Sequence, residues 1–373
     1  MPTNYLNIKQ LNRNRVFRLI AQNDRLSKQD ISDQLSMSLP TVTQNLTELK
    51  AMGLIKDNGF FVSNIGRRAR ALSLVPTAHV ALGLDLTKNH FALVMVDLKG
   101  NIIKSLRKRL PSGNTPEYYR TLSRETDAFI LSSEIPRSKI LGMGITIPAI
   151  VVQDGTHIEE SNIIKIHKNF YDIFHEYTDL PYILLNDASA SGLAECYYSS
   201  PESDMAYLFL GNSIGGAILI NGATYQGTNC RSAEFGHMTL FPQGRQCYCG
   251  RYGCADAYCS ASVLSRYTND NLDLFFERLK QGDKKLEAVF DKYLCDLAIL
   301  INNIRVAFDC DILIGGYVGA YIEDYLERLK ELVKNRLTFG RQDTDFLKPC
   351  TLKLESSAIG GALHYINNFY ETI

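Results

Sequence analysis

"AEFGHMTLFPQGRQCYCGRYGCADAYC", residues 233–259, gathers four of the nine cysteines in the chain and one of its seven histidines. Cys247, Cys249 and Cys254 form C-x-C-x4-C, and Gly250 and Gly253 leave the backbone free to bend until three thiolates converge. A closed tetrahedral site needs one ligand more. His237, upstream in the same stretch, completes a set of one histidine and three cysteines, of the kind that holds one structural zinc per chain. Cys259 is a rival fourth ligand, but it follows Asp256 and Tyr258 at what reads as a helix start, a poorer fit.

The chain around this stretch has 373 residues, 45% of them apolar, which suits two or three folded domains. Its opening, "MPTNYLNIKQLNRNRVF", is polar, and no later run approaches the roughly 18 apolar residues of a membrane span. The expectation is a cytoplasmic protein without a membrane partner. Free thiols are normal there, so the cysteines read as ligands or core fillers rather than disulfides. Net charge is zero overall but unevenly divided: residues 1–75 carry 11 Lys+Arg and 5 Asp+Glu, leaving an acidic body. A basic head on an acidic body is suited to meeting a polyanion.

In the head, "LSKQDISDQLSMSLPTVTQNLTELKAMGLI", residues 26–55, reads as two helices joined by a tight turn. Ser27 and Asp30 form a capping signal ahead of Ile31 and Leu35. Ser38 caps a second helix with Pro40 in its first turn, and Val42, Leu46, Leu49 and Met52 form its buried stripe. Gly53 ends it. Ser38, Thr41, Thr43, Gln44 and Lys50 are the candidate DNA contacts, small polar groups and a cation suited to base edges and phosphates. Val16, Phe17, Leu19 and Ile20 supply a supporting helix. Downstream, residues 54–56 and 60–62 are expected to be strands about a turn at Asn58-Gly59, which makes a wing. Arg67 and Arg68 then offer guanidinium groups to phosphates or the minor groove. Together these predict an α+β winged helix-turn-helix over residues 1–75 that binds double-stranded operator DNA.

After Pro76 the periodicity changes. "HVALGLDL", "HFALVMVDL" and "NIIKSLRKRL" read as consecutive strands, and helical stretches then alternate with "ILGMGITIPAIV", "YILLNDASA", "MAYLFLGNSIGGAILING" and "CDILIGGYVG". That order predicts an α/β body with central sheets whose strand ends carry ligand-binding side chains.

The stretch "AEFGHMTLFPQGRQCYCGRYGCADAYCS" resembles the signature of the ROK family (repressors, open reading frames, kinases), a G-H followed by C-x-C-G-x-x-G-C-x-E. The resemblance extends over essentially the whole chain: "LGNSIGGAILINGATYQGTN" is similar to the family's second phosphate loop, "LLNDASASGLAE" to its Asn-Asp motif and "ILIGGYVG" to its adenosine segment. With the winged head, the likeness is to the sugar-responsive repressors of the family. It implies an actin-like, hexokinase-like two-lobed body over residues 76–373, with a small lobe at about 76–190 plus a C-terminal helix at about 357–373. The large lobe would span about 191–356 and carry the zinc loop, 237–254.

By this resemblance the effector sugar would be held by Asn162, Asn186, Asp187, Glu234, His237 and Asp256. Asp187 matches the general base of a kinase. His237 would give one ring nitrogen to zinc and turn the other to a hydroxyl, its tautomer held by the metal. Asp256 stands where the family has Glu, one methylene shorter, so that a water would complete its bond.

Departures from the family pattern decide the expected activity. Kinases of the family open with D-x-G-G-T, but here the run is Asp85-Leu86-Thr87-Lys88-Asn89, with both glycines gone. Asn212-Ser213 replaces Thr-Gly in the second loop, and Ala149 replaces the glycine after Pro148. The expectation is no enzyme and a vestigial base at Asp187: a sugar-responsive regulator of carbohydrate-use genes, released from its operator by the sugar. A homodimer, or a tetramer built from it, would present two recognition helices about 34 Å apart, or a multiple of that. The alternatives are an active ATP-dependent sugar kinase with an appended head, Lys88 compensating for the lost glycines; a regulator controlled by a partner protein; and an activator in place of a repressor.

Overall fold

The computed structural model describes residues 3–61, 69–161, 163–199, 203–337, 343–352 and 355–373. Three helices build the head: α1 (Thr3–Gln22), α2 (Lys28–Leu35) and α3 (Leu39–Ala51). At the start of α2, the Ser27 hydroxyl accepts from the Asp30 amide while the Asp30 carboxylate accepts from the Ser27 amide, a closed capping box. The helix stops where Ser36 turns left-handed at φ 52°. Ser38 then caps α3, with Pro40 in the first turn. Val42, Leu46 and Leu49 are buried as the stripe requires. Met52 is not: it lies beyond the last turn of α3 and is 48% exposed, and Asn45 takes a buried place instead.

The wing also differs from its expected form. Asn58-Gly59 does not turn the chain; both residues lie within β1 (Ile55–Phe60), which pairs antiparallel with β2 (Arg70–Leu74). The register shifts between Asp57 and Phe60, and Gly59 sits at φ 76°, so the dipeptide that reads as a hairpin makes a bulge. Pairing continues through the Phe61 amide to the Ala69 carbonyl. Arg67 and Arg68 lie outside the described residues, as does Asn162.

The first lobe of the body contains β3 (Val80–Leu86), β4 (His90–Asp97), β5 (Ile102–Arg109), α4 (Pro116–Leu131), β6 (Ile140–Ile147), a hairpin of β7 (Ile150–Val151) and β8 (Ile158–Glu160), α5 (Phe170–His175) and β9 (Tyr182–Asn186). Its sheet runs β5-β4-β3-β6-β9, an antiparallel meander followed by two parallel strands. Helix α6 (Asp187–Ser199) leads into the second lobe: β10 (Met205–Leu210), β11 (Ile214–Ile220), β12 (Ala223–Thr224), α7 (Asp256–Cys259), α8 (Ala261–Ser265), α9 (Leu272–Lys280), α10 (Lys284–Phe308), β13 (Asp311–Gly315), α11 (Gly316–Ile322), α12 (Leu326–Lys334) and β14 (Leu347–Pro349). This second sheet, β12-β11-β10-β13-β14, repeats the pattern of the first. The body is one architecture used twice, with a cleft between the copies.

Helix α13 (Ser356–Thr372) ties the parts together. Its glycines bring backbone against backbone: a methyl on Gly83 would lie 1.7 Å from the Ala358 carbonyl oxygen, and one on Gly360 would lie 1.8 Å from that of Ala190. Nothing larger than hydrogen fits where α13 crosses β3 and α6. At its far end α13 receives the head. Phe17 of α1 stacks on Tyr370 with centroids 4.9 Å apart, and the Asn14 amide donates to the Glu371 carbonyl at 2.6 Å. Head and first lobe share one buried core containing Phe17, Leu49, Leu74, Val94 and Ile366, so the head is fused to the body rather than tethered. Beside this junction is a cavity of about 820 Å³, bordered by Arg18, Lys99, Tyr197, Thr224, His364 and Glu371.

Candidate functional site: an interlobe cleft beside a metal-ligand loop

Two carboxylates, Asp85 buried and Asp187 half-buried, stand at the base of the cleft. Asp85, near the end of β3, accepts a hydrogen bond from the Thr146 hydroxyl of β6 at 2.9 Å. Asp187 opens α6, where its Oδ1 accepts from the Ala188 amide at 2.8 Å. Burial raises the Asp85 carboxyl to about 6 and, with the charge of Asp85 adding to it, raises Asp187 to about 7. Asn186 is fixed on both sides, its amide nitrogen donating to the Ala149 carbonyl at 3.2 Å and its oxygen accepting from the Ser189 amide at 2.9 Å. A space of about 20 Å³, enough for a water, remains among Asp85, Arg107, Asp187, Phe209 and Tyr317.

The turns flanking this space use their own polar groups. Between β3 and β4 the Thr87 amide and hydroxyl both donate to the His90 carbonyl, each at 2.9 Å. The carbonyls of Lys88 and Asn89 accept from Ser112 and Leu110. In the second turn, the Gly211 carbonyl accepts from the Ala261 amide at 2.7 Å and the Asn212 carbonyl from the Ser262 hydroxyl at 2.8 Å.

From the second lobe, Glu234 and His237 face each other, with Glu234 Oε2 4.0 Å from His237 Nε2. Burial raises the Glu234 carboxyl, opposed by the charges of His237 and Arg231. Asp256 is buried and turns Oδ1 to the Ile214 amide at 2.6 Å; burial raises it to about 6. That oxygen is thereby committed to the backbone.

The opposite ring nitrogen of His237, Nδ1, faces the cysteines, 3.9 Å from Cys247 Sγ. Cys249 and Cys254 bring their sulfurs to 3.8 Å. All four ligand atoms of His237, Cys247, Cys249 and Cys254 lie within 4.8 Å of one another. A tetrahedron with metal–sulfur bonds of about 2.3 Å has edges of about 3.8 Å, so the set fits a four-coordinate ion. Gly250 and Gly253 adopt φ 86° and 81°, the left-handed turns that let the thiols converge. A side chain on Gly253 would also strike the Phe241 carbonyl oxygen, at 1.8 Å. Cys259 points away into the core at 0% exposure and takes no part.

On the head, α3 exposes Thr43, Gln44 and Lys50. Thr41 shares its hydroxyl with that of Ser38 at 2.8 Å, and Lys50 pairs with Asp57 of the wing at 2.6 Å. Sequence reading missed Lys28, whose ammonium donates to the Thr43 hydroxyl at 2.9 Å and brings a cation to the centre of this face. It also missed Arg25, which donates to the Asn58 and Phe60 carbonyls and braces the wing. In the cleft it missed Arg107 and Thr146. No local pattern marks any of these, since each meets its neighbours only through tertiary folding.

The sequence pattern of the ROK family matches residues 81–367, and that of a winged helix-turn-helix DNA-binding domain matches residues 11–56. A xylose repressor of Caldicellulosiruptor bescii is 24% identical over 357 residues, covering 89% of this chain and 90% of its own. Among solved structures, a ROK family transcriptional regulator described as a homologue of the E. coli MLC protein superposes with a TM-score of 0.78 at 20% identity, covering 98% of both chains. A ROK hexokinase from Thermus thermophilus superposes with a TM-score of 0.62 at 26% identity, covering 76% of this chain and 97% of its own. The regulator shares the head and the two lobes; the hexokinase matches about three-quarters of this chain.

Proposed function

The chain belongs to the ROK family, and from that premise we propose that it is a transcriptional repressor of carbohydrate-use genes that leaves its operator when a sugar enters the interlobe cleft. The observation that carries this reading is the fusion of a winged helix-turn-helix head to a two-lobed sugar-kinase fold through one shared core. The head, residues 1–75, would meet DNA through Ser38, Thr41, Thr43, Gln44 and Lys50, with Lys28 added and Arg67 and Arg68 extending the contact.

Asn186, Asp187, Glu234, His237 and Asp256, with Asn162, would hold the sugar's hydroxyls. Asp187 has the raised carboxyl and position of a base, but Thr87 and Lys88 stand where the family pattern has phosphate-cradling glycines, and Thr87 commits both its amide and its hydroxyl to the His90 carbonyl. These substitutions support regulation without phosphoryl transfer. His237, Cys247, Cys249 and Cys254 would hold one zinc, which would supply structural bracing and fix the His237 ring beside Glu234. A sugar that binds one arrangement of the lobes better shifts the population toward it, and α6 and α13 would transmit the shift to the head. Two copies paired about a two-fold axis would lose both half-site contacts together.

The deciding experiment measures binding of full-length, metal-loaded protein to DNA from upstream of its own and neighbouring genes, by fluorescence anisotropy, against D-xylose, D-glucose and N-acetyl-D-glucosamine. Release by one sugar, abolished by Asp187→Ala, is expected. Operator binding indifferent to every sugar, or ADP release on adding ATP and sugar, would overturn the reading.

A further inference from the structure

The lobes are joined at the rim of the cleft by a contact that no motif marks. Arg231 lies three residues before Glu234, on the segment that leads out of β12. Its guanidinium Nη2 is 3.3 Å from Glu159 Oε1 and 3.4 Å from Glu160 Oε2. The two glutamates end β8, whose Ile158 is buried in the first lobe's core. Arg231 is anchored in the second lobe, where Phe235 is buried and Ala233 packs against the same core. The ion pairs therefore cross from one lobe to the other.

The segment carrying Arg231 is held in an unusual shape. Gly227, Cys230 and Ala233 have φ of 74°, 53° and 60°, and two of these residues carry a Cβ that disfavours the left-handed region. The strain is locked in from the second lobe's side: the Ala233 carbonyl accepts from the Phe235 amide at 2.6 Å. Gly216, where a side chain would lie 2.3 Å from the Phe235 ring, makes room for that ring. A loop fixed in this way presents Arg231 at one place, so its reach to Glu159 and Glu160 reports the separation of the lobes.

We propose that Arg231 is a positioning residue that clasps Glu159 and Glu160 across the cleft mouth, setting how far the lobes part and how long a sugar stays between them. This rests on the sugar-binding reading above. A sugar leaving the cleft must wait for the lobes to part, and parting breaks both ion pairs. An exposed pair confined to one lobe would leave the escape rate unchanged; this one is broken on the escape route. All three side chains are about half exposed, so salt screens the clasp.

Two measurements on the full-length, metal-loaded protein test it. The first needs no sugar: hydrogen exchange of residues 150–160 and 225–234 should quicken about three- to fivefold in Arg231→Gln. The charge-swapped triple variant Arg231→Glu, Glu159→Arg, Glu160→Arg should restore it. The second is stopped-flow dissociation of whichever of the three sugars binds. It should also be about three- to fivefold faster in Arg231→Gln. Added KCl should speed release from the natural protein and leave the variant unchanged. Unaltered exchange in Arg231→Gln, or no rescue by the swap, overturns the clasp while leaving sugar regulation intact. If the exchange result holds and no sugar binds, the sugar reading falls and takes with it the clasp's control of sugar residence, leaving only its control of how far the lobes part.

Discussion

Asp85 and Asp187 show how a single residue's setting determines its chemistry. Asp85 is buried and Asp187 half-buried beside it; loss of solvent holds the first carboxyl at about 6 and, with the charge of Asp85, the second at about 7, so the folded chain keeps protons that an unfolded one releases near pH 4. The stability these groups contribute is fully present below the unfolded value and is lost as pH rises through 6 and 7. Asp187→Asn should therefore be more stable than the natural protein at pH 8, by an amount on the order of 3 kcal/mol, and the difference should shrink toward pH 5. Parallel melting temperatures of the two proteins across that range would refute the assignment. In the loop of His237 and three cysteines, Cys249→Ser removes one of four candidate ligands whose ligand atoms lie within 4.8 Å of one another. Metal analysis of reduced protein should fall from about one zinc per chain to near zero, with the loop exchanging its amides freely.

At the level of elements, α3 and the wing show how an exposed surface is organised. Of the residues facing out of α3, Gln44 makes only a weak 3.5 Å contact to Glu48, whereas Lys50 is already paired with Asp57. Lys28 comes from the neighbouring helix to the Thr43 hydroxyl. Lys28→Ala should weaken binding to all DNA sequences alike and lower the salt slope by about one, whereas Gln44→Ala should cost about 1–3 kcal/mol on the operator alone. Anisotropy titrations at several salt concentrations on operator and scrambled DNA distinguish the two. A reversed pattern would exchange their roles.

At the scale of the whole molecule, α13 is the central connection. It crosses β3 and α6 at glycine contacts that leave no slack, and it ends against α1 through Tyr370, whose hydroxyl also donates to the Leu98 carbonyl at 2.7 Å. A tight crossing at one end and an aromatic stack at the other make α13 the element on which the proposed coupling of cleft to head is tested. Tyr370→Ala should lower stability by about 3–5 kcal/mol. In protein that remains folded, it should leave sugar affinity intact while reducing sugar-driven release from the operator. Calorimetry with the sugar and anisotropy with DNA measure the two separately, and an undiminished release would remove α13 from the route.

The local signals in this chain were complete where the chemistry is local. The capping box at Ser27, the cap at Ser38, the Val42-Leu46-Leu49 stripe of α3 and the spacing of His237 and its three cysteines each lie within a few turns of backbone, and the structure realises them as read. Asn58-Gly59 misled because a bulge and a hairpin use the same dipeptide, and only the partner strand chooses between them. Asp85 beside Asp187, Lys28 beside Thr43, Arg231 across from Glu159 and Glu160, and the core shared by Phe17 and Tyr370 join residues far apart in the chain. Short-range propensity acts over a turn or two, so these pairings were decided only when the two sheets, α6 and α13 packed together.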